Sequence, residues 1–551
     1  SDWSSDGCSS DLVLAAALRR HEPWLEWSGK RERPWFELEP PALHIHERVS
    51  TQALLRVLAR EDVNRDLFAD PQQSYAEAVQ FYKYDVDWAN RMILGDSLAV
   101  MASLSRREDL AGKVQMIYID PPYGISFKSN FQPQLGQRDV KDKVQDLTRE
   151  PEMVRAYRDT WTLGIHSYLA YLRDRLAMAR ELLTESGSVF VQISEENLHR
   201  VRCVMDEVFG PQNFLGTIVF QKTGGFTPTN LSLVADYLIW YGKDSTRTRF
   251  TDIREFRPLP PADDPYYRLI ELPNGERRRA ESRELENPNQ LPRGARILRH
   301  GPLNSHGPSK TPKPFHFQGQ GFECNPNRHW TVDPEDGLDR VAKAEHIFQI
   351  GNDVAFKLFW DFNPSKPINN LWTDTQSGGF NDEKVYVVQT TTKVIERCLL
   401  MTTDPGDLVL DPTCGSGTTA FVAEKWGRRW ITIDSSRVAL ALAKHRLMTA
   451  SFEQHKLRPL EPQDLQRNPR GTWLKNGGTE PRTLKCRTVP HITLKSIARN
   501  TALDPIFARH EPVLAERLAA LNAALAGVGT DLKGRLAEKL VRKHREDGAK
   551  I

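Results

Sequence analysis

The chain has 551 residues, which at about 150 per domain implies three or four folding units and excludes a single small binding module. Apolar residues make up 39% and charged residues 27%, with 34 Gly and 35 Pro, a composition that excludes a wholly disordered chain, a fibrous repeat and a membrane bundle. Lys and Arg number 75 against 72 Asp and Glu, a net charge of +3, which permits a nucleic-acid partner without requiring one, because such binding depends on charge concentrated locally. The longest apolar stretches, such as residues 12–18, fall well short of the ~20 residues that span a bilayer. No basic segment with a small-residue cleavage site precedes them, so a cytoplasmic location away from membranes is expected. The six cysteines, Cys8, Cys203, Cys324, Cys398, Cys414 and Cys486, include no C-x-x-C pair, so reduced thiols and no structural metal are expected. Cys324 and His329 lack a second pair of ligands nearby and read as a loop thiol and a surface imidazole.

Residues 1–11 form a Ser/Asp-rich run without periodicity, read as a non-native segment and excluded from the fold. Residues 12–87 carry helical spacing interrupted by Trp and Pro, as at 51–59, and suggest an N-terminal helical region. From residue 88 the texture changes. Apolar runs at 92–94 and 114–119 end in turn residues and predict two buried parallel strands, with a helix over 97–104 between them. Helical spacing resumes after Pro151 and runs to Leu183, with Gly187 as its stop, and a third strand follows at 189–193. Further strands are expected at 214–220 and 237–241. Strand bodies that are apolar throughout, alternating with helices, predict an α/β sheet covered on both faces over 88–242.

Between residues 243 and 380 that rhythm fails, and the segment is rich in Pro, Arg and Glu. It reads as an insertion carrying Arg277, Arg278, Arg279, Lys310, Lys313 and Trp330. The sheet texture returns within 381–460. A strand at 407–411, a glycine turn, a helix over 418–425 and a strand at 430–433 ending at Asp434 form a βαβ unit. Residues 461–551 make a charged C-terminal extension, mostly helical from Pro512.

Two motifs carry chemistry. In Asp411-Pro412-Thr413-Cys414-Gly415-Ser416-Gly417, the glycines stand between a strand and a helix, where backbone amides can approach a ligand at the helix N-terminus. No Lys-Ser/Thr pair follows, which excludes a P-loop, and the third glycine of the dinucleotide fingerprint is missing. Asp434 ends the next strand, where a carboxylate can accept both hydroxyls of a ribose. An ordinary glycine turn would show the same local pattern. The second motif is Asp120-Pro121-Pro122-Tyr123, at the carboxyl end of a strand, the edge at which open α/β sheets bind ligands. The Asp120 carboxylate and Pro121 carbonyl can both accept from one amino group, and Tyr123 offers a ring for stacking. Alone, this could be a rigid strand-ending turn.

Together the motifs resemble the S-adenosylmethionine-dependent DNA amino-methyltransferases. Because the catalytic motif precedes the cofactor loop, the arrangement is similar to the beta class, a permuted Rossmann-like methyltransferase fold. Within it the chain looks most like the modification subunits of type III restriction systems. The resemblance implies a mostly parallel sheet with helices on both faces, a target-recognition region in the 243–380 interval, and helical N- and C-terminal extensions. It assigns Asp120, Pro121, Pro122 and Tyr123 to catalysis. Asp411, Pro412, Thr413, Gly415, Gly417 and Asp434 fall to the cofactor, with Asp96 toward its adenine and Thr391 and Lys393 toward its methionine carboxylate. Val394 stands where the family usually has Pro, and Thr413 where Phe is common. Leu371-Trp372-Thr373-Asp374 matches a recurrent family segment, and Trp372 reads equally well as a core aromatic.

The implied reaction needs neither metal nor covalent intermediate. Hydrogen bonds from the amine to Asp120 and Pro121 would favour pyramidalisation and in-line attack on the sulfonium methyl, and the base would reach the site by flipping out of the duplex onto Tyr123. Cys414 lies in the cofactor loop, which argues against a role as cytosine-C5 nucleophile. An opening Asp favours N6 of adenine. Cytosine-N4 transfer, an RNA or protein-amide substrate, and a non-catalytic DNA-binding specificity subunit are the alternatives. Double-stranded DNA, a second copy of the chain and a helicase-nuclease restriction subunit are the partners that the resemblance implies. The target sequence is not written in any pattern of residues.

Overall fold

The computed structural model describes residues 25–31, 38–47, 83–84, 86–122, 164–222, 231, 233–257, 259–260, 264–376, 390–475 and 480–547. The run at 1–11, the helix expected at 51–59 and Tyr123 lie outside these. The chain divides into two compact units, one formed by Ser1–Ile253 with Ile368–Cys486, the other by Arg254–Pro367 with Arg487–Ile551.

The first unit is built on an eight-stranded sheet. Its elements in chain order are β1 (Arg91–Leu94), α1 (Ser97–Arg106), β2 (Val114–Ile119), α2 (Ile165–Leu182), β3 (Leu183–Ile193), α3 (Glu195–Phe209), β4 (Phe214–Gln221) and β5 (Ala235–Gly242). After the second unit come β6 (Leu371–Trp372), α4 (Thr392–Thr402), β7 (Leu408–Asp411), α5 (Thr418–Lys425), β8 (Arg429–Asp434) and α6 (Arg437–Thr449). The strand order is β6-β4-β5-β3-β2-β7-β8-β1. β5 pairs antiparallel with both β3 and β4, and every other pairing in the sheet is parallel.

Two apolar layers sandwich this sheet. α1, α2 and α3 pack on one face against Ile117, Ile119, Val189, Val191, Leu408, Leu410, Ile431 and Ile433. On the other face α4 and α5 pack against Met116, Tyr118, Phe190, Val409 and Trp430. β2 contributes to both layers and is buried at all six positions, which explains why its sequence is apolar throughout rather than alternating. The long helix before β3 ends at Leu182, five residues before Gly187. Pairing with β2 starts at once, and Leu183 faces Val114 while Ser188 faces Met116. The segment around Gly187 is therefore an irregularity inside a strand and not the helix stop expected from sequence.

The boundaries of the insertion follow from backbone bonds. Thr251 N–H donates to the Met401 carbonyl at 2.7 Å and Ile368 N–H to the Ile253 carbonyl at 3.1 Å, which ties the chain to the α/β unit up to 253 and again from 368. Part of the C-terminal stretch belongs there too. Leu457–Pro459, Leu474–Lys475 and Arg482–Leu484 form a small antiparallel sheet with Lys83–Tyr84.

The second unit has a five-stranded antiparallel sheet in the order Ile347–Ile350, Asp353–Phe359, Arg296–Gly301, Leu269–Glu271, Arg277–Arg279. Its core includes Leu298, Phe315, Leu338, Phe356 and Phe359 together with Leu494 and Ile497, so residues after 487 complete the inserted unit's interior. A helix over Asp504–Ala526 follows, begun by the Arg340–Asp504 ion pair at 2.6 Å, and none of its residues is buried.

Candidate active site

The chain leaves β2 toward β3 through α2 on one face, and leaves β7 toward β8 through α5 on the other. β2 and β7 are neighbours. Doubly wound sheets open a crevice at the carboxyl ends of strands where the winding reverses in this way. Asp120, Pro121 and Pro122 follow β2 there, and Asp411 to Gly417 follow β7. β8 and β1 bring Asp434 and Asp96 to the same edge, since Leu94 and Asp434 are in register. β5 runs the other way, so its first residues, including Asp236, lie at this edge as well.

The two motifs are joined directly. Asp120 N–H donates to the Thr413 hydroxyl at 2.9 Å, and Thr413 donates to Asp411 from its backbone N–H at 2.9 Å and from its hydroxyl at 3.2 Å. Around the loop, Gly415 N–H donates to Asp434 Oδ2 and Ser436 N–H to Asp434 Oδ1, both at 2.8 Å. Asp434 thus fixes the glycine loop from the next strand while each oxygen keeps lone pairs for further donors. Gly415 and Gly417 have φ of 51° and 73°. At Gly417 a Cβ would stand 2.7 Å from the Cβ of Ala443, so α6 packs where only glycine fits.

The edge is rich in carboxyl groups. Burial raises the Asp120 pKa to about 8, with repulsion from Asp236 and Asp411 adding to it and the Thr390 hydroxyl and Lys222 opposing it. Burial also raises Asp411 and Asp434 to about 6, Asp411 restrained by the Thr419 hydroxyl and by the N–H and hydroxyl of Thr413, Asp434 by the backbone N–H groups of Ser436 and Gly415. Asp236, itself buried, is paired with Lys222 at 2.7 Å. Carboxyl groups pushed upward together at one sheet edge mark a site shaped for ligand rather than for stability. A pKa raised in this way makes the ionised Asp120 carboxylate a stronger acceptor for an amine N–H and for its proton.

The remaining predicted residues take several places. Asp96 caps α1, accepting from Leu98 N–H at 3.0 Å and Ala99 N–H at 3.2 Å, and it is paired with Arg175, whose guanidinium lies 3.5 Å from the Tyr171 ring centroid. Its carboxylate is therefore structurally committed as well as placed at the edge. Thr391 precedes α4, and its buried Oγ1 has no hydrogen-bond partner among the described residues. Lys393 is paired with Asp374, which also accepts from Arg397 at 2.9 and 2.8 Å. The Leu-Trp-Thr-Asp segment thus clamps α4 to the sheet. Trp372 is buried, with its indole N–H on the Asn369 carbonyl at 2.7 Å.

Sequence reasoning passed over Thr390, Gln192 and Tyr118. The Thr390 hydroxyl lies 3.3 Å from Asp120 Oδ2 and 3.0 Å from Gln192 Oε1, and the Tyr118 hydroxyl donates to Gln192 Oε1 at 2.6 Å. A buried Gln on an apolar strand was the one signal available.

In the second unit the arginine run is largely occupied. Arg277 pairs with Glu271 at 3.4 Å, and its guanidinium lies 4.7 Å from the Phe348 ring centroid. Arg278 grips Glu284 at 2.8 and 2.5 Å, holding that carboxyl at about 2. Lys313 pairs with Asp333 at 3.2 Å and Glu335 at 3.0 Å, and the Trp330 indole N–H bonds the Lys313 carbonyl. Arg279 and Lys310 are exposed.

Known proteins resemble this chain over the same span. A type II methyltransferase, M.EcaI of Enterobacter cloacae, is 26% identical over 338 residues, covering 59% of this chain and 63% of that protein. The Mod subunit of the type III restriction-modification enzyme EcoP15I of Escherichia coli is 29% identical over 157 residues, 28% of this chain and 24% of its own length. The probable HindVI Mod subunit of Haemophilus influenzae is 24% identical over 428 residues, 69% of this chain and 53% of its own length. The chain spans less than two thirds of each. The crystal structure of the M1.HpyAVI–SAM complex aligns with a TM-score of 0.31 at 13% identity, covering 65% of this chain and 98% of that one. The N6/N4 DNA methylase family matches residues 114–445, more than half of the chain and inclusive of both motif regions, and the chain belongs to that family.

Proposed function

We propose that the chain transfers a methyl group from S-adenosylmethionine to the exocyclic N6 of an adenine flipped out of double-stranded DNA. The observation that carries this reading is the bond between Asp120 N–H and the Thr413 hydroxyl, which couples an amine-binding carboxylate to the glycine loop across the switch point of the sheet. S-adenosylmethionine supplies the electrophilic sulfonium methyl. The residues present fit it. The left-handed glycines at 415 and 417 allow close backbone approach, Asp434 offers oxygens to the ribose, and the orphan Thr391 hydroxyl stands at the start of α4 for the carboxylate, whereas Lys393 would have to share its ammonium with Asp374.

Asp120 and the Pro121 carbonyl would hold the two N–H bonds of the amine, drawing its lone pair out of conjugation and aiming it in line with the methyl. The proton released on methylation goes to Asp120 or through it to solvent. The rigid Pro121-Pro122 pair keeps this grip from adapting to a displaced amine. The inserted unit would read the target, with Arg279 and Lys310 as exposed cations available to phosphate.

The test is to incubate the chain with labelled S-adenosylmethionine and duplex DNA and to analyse the nucleosides by mass spectrometry. N6-methyladenine is expected. N4-methylcytosine would replace the adenine reading, and transfer to neither base would favour a non-catalytic specificity subunit. Long-read sequencing of DNA from expressing cells reports the sequence context. The names of the Mod relatives also suggest a restriction subunit as partner, which co-purification from cells carrying both genes would detect.

A further inference from the structure

Among the described residues, Asp120 accepts at Oδ2. Among the described residues no donor stands at Oδ1, while Oδ2 has the Thr390 hydroxyl at 3.3 Å. That hydroxyl has one proton and two acceptors, because Gln192 Oε1 lies 3.0 Å from it. Gln192 is buried, and its Oε1 already accepts from Tyr118 at 2.6 Å. A hydroxyl between two acceptors can give its proton to either, and it can accept from one while giving to the other.

We infer that Thr390 is a positioning residue for the amine acceptor: its hydroxyl turns between Asp120 and Gln192, holding the Asp120 carboxyl in one orientation in both its protonation states and leaving Oδ1 for the substrate. With Asp120 ionised, Thr390 donates to Oδ2. With Asp120 protonated on Oδ2, that O–H donates to Thr390 Oγ1, and Thr390 donates to Gln192. No heavy atom need move and no proton is left over in either state. This inference rests on the methyl-transfer reading above.

The carboxyl group faces other charges from each surrounding element. Asp236 of β5 and Asp411 of β7 disfavour its ionised form, and Lys222 after β4 favours it. The Tyr168 phenol of α2 is close enough to be affected by Asp120. Among the described residues Thr390 supplies the side-chain hydrogen bond that acts on this balance, so removing it has a predictable sign.

The experiment is the pH profile of kcat/KM for methyl transfer to duplex DNA. The profile reports ionisation of essential groups in the free enzyme. In the unmodified protein activity rises with pH as Asp120 ionises. Thr390→Val should move that inflection upward by about 0.5 unit or more, because the charge-assisted bond lost by the ionised form is stronger than the neutral bond lost by the protonated form, and Thr390→Ser should bring it back. Gln192→Met should move it downward, because the Thr390 proton is then committed to Asp120. A merely structural role would shift neither profile, or would shift both in one direction. Inflections of Thr390→Val and Gln192→Met equal to that of the unmodified protein overturn the inference. If Thr390→Val does not fold, as judged by loss of S-adenosylmethionine binding in calorimetry, the Gln192→Met profile decides alone, and an upward shift or none is the contrary result. Absence of transfer by the unmodified protein would instead reject the methyltransferase reading itself.

Discussion

The backbone N–H of Asp120 rests on the hydroxyl of Thr413, 293 positions further along the chain. The turn after β2 and the glycine loop after β7 are therefore held in register by a side chain, and the bond depends on the Thr413 hydroxyl as acceptor. Thr413→Val keeps the shape of the side chain and removes the bond. It should lower kcat about five- to tenfold, corresponding to the ~1 to 1.5 kcal/mol of one hydrogen bond, while S-adenosylmethionine affinity stays within a factor of about three. Equal losses in kcat and in cofactor affinity would mean that Thr413 serves the loop alone.

Asp120→Ala should abolish transfer and change cofactor affinity by less than about tenfold, because the carboxylate addresses the amine. Asp120→Asn adds a stability readout. The folded protein keeps the Asp120 proton up to about pH 8, whereas an unfolded chain releases it near ~3.9. The folded state thus binds more protons between those values, and stability falls as pH rises through that window. Asn carries no such penalty. The melting temperature of Asp120→Asn should equal that of the unmodified protein near pH 4, exceed it increasingly up to about pH 8, and show no further gain above. A constant difference at all pH values would place the origin elsewhere.

The positions of most strands along the chain, the apolar strand bodies and both motifs are legible in the sequence because each depends on local pattern. Helix α5 was read at its observed bounds, 418–425, because a glycine turn sets its start and the amphipathic pattern its length. The role of β5 was not legible. Its direction is reversed, and that reversal brings Asp236 to the site edge beside Asp120. Thr390, Gln192 and Tyr118 were missed for a related reason: they come from three separate elements and meet only through the sheet. Asp96 and Asp434 were read as ligand acceptors, and the structure adds the backbone groups they also hold.

Asp434→Ala should weaken S-adenosylmethionine binding by roughly 1.5 to 3 kcal/mol. Besides removing the carboxylate proposed for the ribose, it releases the Gly415 and Ser436 N–H groups, so the loop itself loosens. Calorimetry should show the loss, and hydrogen exchange at Gly415 should accelerate in the unliganded variant. Unchanged exchange with weakened binding would assign Asp434 to the ligand alone.

Gly417→Ala tests the close approach of α5 and α6. The residue holds φ of 73° and its added Cβ would meet Ala443 Cβ at 2.7 Å and Ala443 Cα at 3.2 Å. Strain and overpacking together should cost ~1 to 3 kcal/mol in chemical denaturation. A second change, Ala443→Gly, removes one of the clashing atoms and should recover part of the loss, leaving the cost of the left-handed backbone. Full recovery would show that the backbone conformation is free of strain for alanine.

The arginine run at 277–279 separates into two roles. Arg278 is held bidentate by Glu284, and Arg277 shares Glu271 with Lys357 and lies over the Phe348 ring, so both guanidinium groups are engaged within the inserted unit and have less to give a phosphate. Replacing both with Ala should lower thermal stability, since the buried Glu284 would lose its counter-charge. It should leave the salt dependence of DNA binding nearly unchanged. Arg279 is exposed, and if the inserted unit binds the duplex backbone, Arg279→Ala should flatten the plot of log affinity against log salt by up to ~0.9, the slope carried by one phosphate contact. The measurement is DNA affinity at several salt concentrations for each variant. A slope change confined to the Arg277, Arg278 double variant would reverse the assignment and show that those two arginines leave their carboxylates for DNA.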